Sequence, residues 1–82
     1  MSRSRYTLSG PWAHHDTMQS PGGDIVLEVT DLIDTHGNTF SEGAWRVTFD
    51  GRHKRFRGET AWNDAARYAN DLYWSARLAA RG

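Results

Sequence analysis

Eighty-two residues without a cysteine make one small domain, close to the lower size at which a single core holds a fold, and they exclude disulfides and thiolate metal sites. The ten acidic and ten basic residues cancel to a net charge of zero, and no apolar run approaches the ~20 residues that span a bilayer. With no apolar leader stretch near the N-terminus, the expectation is a soluble cytoplasmic protein without membrane association.

Residues 1–23 read as irregular. Ser-Gly-Pro at 9–11 and Ser-Pro-Gly-Gly at 20–23 punctuate turns, and Arg5-Tyr6-Thr7-Leu8 supplies at most a short edge strand. Residues 24–82 read as one domain. From Ile25 the residues alternate: Ile25, Leu27, Val29 and Ile33 point one way, and Glu28, Thr30 and Asp34 the other, as in a half-buried strand. Residues 34–43, DTHGNTFSEG, read as a polar loop, long for a hairpin. Trp45, Val47 and Phe49 form the apolar face of a second strand, and Asp50-Gly51 is a type I′ turn signal. His53 to Arg57 returns as a third strand. A two-residue turn sets Trp45 opposite Phe56, Val47 opposite Lys54 and Arg46 opposite Arg55; a bulged turn would shift each pair by one.

Gly58 ends that strand, and Thr60 is placed to cap a helix reaching about Ala80. Trp62, Ala65, Ala66, Ala69, Leu72, Tyr73, Ala76 and Ala80 recur with helical period on one stripe. The expected fold class is α+β: a three-stranded antiparallel sheet packed by one C-terminal helix, β-β-β-α. Its core should join Trp62 and Ala66 to Ile25, Trp45, Val47 and Phe56.

Charge is segregated along the chain. Residues 16–43 hold Asp16, Asp24, Glu28, Asp31, Asp34 and Glu42 with no lysine or arginine, whereas residues 44–58 set Arg46, Arg52, Lys54, Arg55 and Arg57 against Asp50 alone. Nine of the ten basic residues are arginine, a bias typical of GC-rich genomes such as those of actinobacteria and their phages. His14, His15 and Asp16, with His36 and His53 further off, match no metal-ligand spacing, and no nucleophile sits in a strained elbow. The chain is therefore expected to be a binding protein and not an enzyme, with no cofactor and no metal.

Arg46, His53, Arg55 and Arg57 fall on the face away from the expected core, with Arg52 and Lys54 near the turn. Like charges directly opposite across strands repel, so something should lie against Arg46 and Arg55. One reading is a DNA backbone, with arginines also able to reach guanine edges. The other is neutralisation by Glu28 and Asp34 on the neighbouring strand.

The pattern Trp45-x-Val47-x-x-Asp50-Gly51, then Phe56, then a helix with Ala65, Ala66, Ala69 and Leu72, resembles the arm-type DNA-binding domain of phage tyrosine recombinases, a relative of the plant AP2 fold. That resemblance spans residues 44–72 and implies a three-stranded sheet in the major groove, with Arg46, Arg55 and Arg57 at the positions of sheet-borne contacts. The chain departs from it in its zero net charge and acidic first strand. Over residues 25–82 the element order also resembles the N-terminal oligomerisation domain of the Lsr2 family of actinobacterial nucleoid proteins, which implies self-association.

Trp74 and Leu78 lie one helical turn apart and off the core stripe. They mark a protein interface, unless the N-terminal segment with Tyr6, Leu8 and Trp12 folds back to cover them. Two functional expectations result. The first is a small DNA-binding protein acting through the 44–57 hairpin. The second is a phage-type accessory protein that binds or inhibits a host protein, or associates with itself as a homodimer, through Trp74, Leu78 and the acidic Glu28, Asp31 and Asp34.

Overall fold

The computed structural model describes residues 6–81. Its strands are β1 (Thr7–Leu8), β2 (Ala13–Ser20), β3 (Gly23–Ile33), β4 (Thr39–Phe49) and β5 (Arg52–Arg57), followed by the helix α1 (Ala61–Arg81). The α+β class and the C-terminal helix are as expected, but the sheet has five antiparallel strands and not three. β4 runs along one edge of β3, while β2 and then β1 share the other; β5 closes the far side of β4.

The edge strand at Thr7–Leu8 forms, but the segment expected to be irregular also contains the eight-residue β2. The sequence of β2, AHHDTMQS, has no apolar alternation to announce it, and only Met18 and Ser20 are even half-buried. Its stability comes from the ladder to β3 and from the Pro21-Gly22 connection, where the Ser20 hydroxyl donates to the Gly23 carbonyl at 2.6 Å. Tertiary pairing outweighs local propensity here.

The 34–43 loop is likewise shorter than expected. Only residues 34–38 turn, and Thr39 already pairs with Ile33. Asp34 organises the turn: its carboxylate accepts from the backbone N–H groups of His36 and Asn38 and from the Asn38 side-chain amide. Residues 41–43 then stand against the single residue Asp31 in a bulge of β4, where Glu42 has φ 53° and its N–H donates to Asp31 Oδ1 at 2.8 Å. Gly43 is required there, since a Cβ would come within 2.9 Å of Phe40 Cγ and 3.0 Å of Leu32 Cδ1.

The bulge divides the apolar interior in two. On the helix side, Ile25, Leu27, Trp45, Val47, Ala61, Ala65 and Ala69 are buried, flanked by Met18, Val29, Phe49, Phe56, Tyr68, Leu72 and Tyr73. Around the bulge, Thr30, its partner Ala44, and Leu32 are also buried, the β3 pair on the strand positions that alternate with Leu27 and Val29. Ile33, expected to continue the first core, is only half-buried. Tyr6 packs its ring edge-on to Phe40 at 6.2 Å, and its carbonyl accepts from Arg57 Nη1 across the molecule, so the sheet is curled enough to bring its two edges together.

On α1 the alanines carry the contact. Ala61, Ala65 and Ala69 are buried because their small side chains let the helix approach the sheet closely, and Thr60 occupies the cap position with its carbonyl accepting from Asp64 N–H. Trp62 was expected in the core but is 45% exposed. It lies on the flank of the helix, its ring 4.6 Å from that of the buried Trp45.

Candidate functional site

The hairpin formed by β4 and β5 has the two-residue turn read from Asp50-Gly51. Both residues have positive φ, 53° and 74°, as a type I′ turn requires. The register follows: Trp45 pairs with Phe56, Arg46 with Arg55, Val47 with Lys54 and Thr48 with His53. Cross-strand partners share a face, so His53, Arg55 and Arg57 stand with Thr48, Arg46 and Ala44 on the face away from α1. Arg52 and Lys54 stand on the other side of the same edge strand, opposite Phe49 and Val47.

Arg46 and Arg55 do not simply face each other. Arg46 turns to Glu28 on β3, donating from Nε at 3.0 Å and from Nη2 at 2.7 Å to one carboxylate oxygen. Trp12 lies over its guanidinium at 4.8 Å from the ring centre. The pair is four-fifths buried, which shields it from screening more than an exposed pair. Asp34, the other expected partner, is held by its own turn. The backbone N–H of Asn38 is the largest influence on its carboxyl, and with the Asn38 side-chain amide, the N–H of His36 and the charge of His36 it outweighs desolvation and lowers the pKa below the usual 3.8.

Glu28–Arg46 is the one ion pair among the described residues. Arg52, Lys54, Arg55 and Arg57 are all exposed, Arg57 being anchored to the Tyr6 carbonyl, while His53 shares a 2.9 Å hydrogen bond with Thr48. One exposed edge strand thus carries five basic residues among its six, interrupted only by Phe56 and distributed on both its sides. The open-face cations follow one another at about 6.7 Å, the two-residue step of a strand. Arg3 and Arg5 lie outside the described residues.

The acidic residues grouped as a protein-binding surface have separate tasks within the fold. Glu28 holds Arg46, Asp31 caps the bulge at Glu42, and Asp34 closes its turn. Trp74 and Leu78 are 52% and 64% exposed, and the described part of the N-terminal segment lies elsewhere: Trp12 and Tyr6 lie against Arg46 and Phe40.

His15 carries no signal in sequence yet takes a defined position. A register shift between His14 and Asp16 makes it the extra residue of a bulge, which re-aims its ring edge-on to Trp45 and Trp62 at 4.8 and 5.2 Å. Among the described residues no group of three histidine, aspartate or glutamate side chains is arranged to hold a metal ion. Likewise no described helix is long and apolar enough to cross a membrane. Comparison with protein-family models, curated proteins and solved structures finds no match to this chain.

Proposed function

We propose that this protein binds nucleic acid through the phosphate backbone, using β5 as its contact strand, and performs no chemistry of its own. The observation that carries this reading is the run Arg52–Arg57, whose four long cations are exposed and reach no carboxylate among the described residues. Phosphate oxygens match such a strand, because arginine donates in a planar fork and lysine adds a mobile point charge. The same charges keep β5 from pairing with the edge of another copy, so the strand stays available.

Arg46 has a different part. With its charge balanced by Glu28 and its plane covered by Trp12, it steadies the middle of the open face. Contacts from β5 alone would position the protein on a backbone without reading base edges, so the binding favoured by this arrangement has little sequence preference.

Titrating a short mixed-sequence duplex into isotope-labelled protein at low salt should shift the backbone amide signals of residues 50–57. Those of residues 74–78 should stay in place. Shifts confined to α1, or no shifts anywhere, would refute the reading.

A further inference from the structure

Only one side of α1 meets the sheet. Ala61, Ala65 and Ala69 are buried and Leu72, Tyr73 and Ala76 half-buried, whereas Trp74 and Leu78 are the most exposed large apolar side chains among the described residues. At about 100° per residue, Asp71, Trp74, Leu78 and Arg81 fall in one sector roughly 80° wide, nearly opposite Ala65 and Ala69. All four are exposed, and neither Asp71 nor Arg81 forms an ion pair among the described residues. Trp74 is also held in place. The Arg77 guanidinium lies 5.5 Å from its ring centre and 5.7 Å from that of Tyr73, whose hydroxyl accepts from Arg77 Nη1 at 3.0 Å. A side chain restrained before contact loses less entropy on contact.

We propose that this ridge is a homodimer interface, in which α1 of a second copy packs antiparallel against α1 about a twofold axis at position 76. Residues equally far from the axis then face each other across the interface. Trp74 and Leu78 lie two positions either side of it, so each Trp74 meets the second copy's Leu78. Asp71 and Arg81 lie five positions either side, so each acid meets a base. Every contact occurs twice, as a closed twofold interface requires. The order acid, apolar, apolar, base is therefore complementary to its own reverse. A parallel pairing would oppose Asp71 to Asp71 and Arg81 to Arg81, so charge selects the antiparallel arrangement. One helix face per subunit makes a small interface, and association is expected on the order of 10–100 µM.

Sedimentation equilibrium of the full chain from about 10 µM to about 1 mM tests this. The mass should rise from 9.3 kDa towards twice that value. Trp74→Ser alters a half-exposed side chain, should keep the helical circular dichroism, and should stay monomeric. Asp71→Arg and Arg81→Asp should each weaken self-association by at least about tenfold. Mixed in equal amounts they should associate with each other, because each supplies the charge the other lacks. A wild-type chain that stays monomeric at about 1 mM, a dimer indifferent to Trp74→Ser, or two charge variants that ignore each other when mixed would overturn the proposal.

Discussion

Asp34 and the neighbouring tryptophans Trp45 and Trp62 show how much a single side chain's surroundings decide. Asp34 is ionised at neutral pH and accepts three hydrogen bonds that depend on that charge. Because its folded pKa lies below the unfolded value near 3.8, its contribution to stability is complete above that value. It is lost as pH falls through the folded pKa, so the effect is confined to acid conditions below about 4. Asp34→Ala should lower the melting temperature at pH 7 and flatten its acid dependence in that window. An unchanged acid profile would show that the turn does not use the carboxylate. Trp45 is 3% exposed and Trp62 45%. Trp45→Ala should therefore cost about 3–5 kcal/mol, as for a buried aromatic. Trp62→Ala should cost about 1–2 kcal/mol, combining partial burial with one aromatic contact. Urea denaturation of both variants checks the order; equal losses would contradict the flank position of Trp62.

Elements were legible in the sequence where one face is apolar and the turn chemistry is specific. The second half of β4, β5 and the two-residue register between them could be read because Trp45, Val47 and Phe49 alternate and Asp50-Gly51 favours a tight turn. The helix was legible from its alanine stripe, although periodicity alone placed Trp62 in the core; a residue at the edge of a stripe satisfies the same pattern as one at its centre. β2 could not be read, since a strand held by backbone pairing with most of its side chains in solvent leaves no apolar signature. The bulge at residues 41–43 was also invisible. It lies where burial along β3 passes from Ile25 and Leu27 to Thr30 and Leu32 on the alternate positions, leaving Ile33 half-buried. For the candidate site, the sequence showed the basic run and Glu28 as a partner for Arg46, but Trp12 above Arg46 depends on a chain path that the first twelve residues do not announce. Glu28→Gln should destabilise the fold by about 1–2 kcal/mol, as expected for a partly buried charged hydrogen bond left with a neutral acceptor. It should also tighten nucleic-acid binding by removing a negative charge from the open face. A variant with weakened binding and an intact fold would contradict the role assigned to Arg46.

Across the whole molecule, zero net charge means that attraction to a polyanion has to come from where charges stand and not from their sum. Carboxylates of the acidic segment are engaged inside the fold at Glu28, Asp31 and Asp34, while the cations of β5 face solvent at one edge of the curled sheet. Phosphate contacts release counterions, and that gives the central claim its most direct measurement: the slope of log affinity against log salt for a mixed-sequence duplex. Three or four contacts from β5 predict a slope of about −3 to −4, and Arg55→Ala should reduce its magnitude by about one at every duplex sequence tried. Binding whose salt slope is the same with and without Arg55, or no retention of any duplex at low salt, would contradict the assignment of β5 as the contact strand.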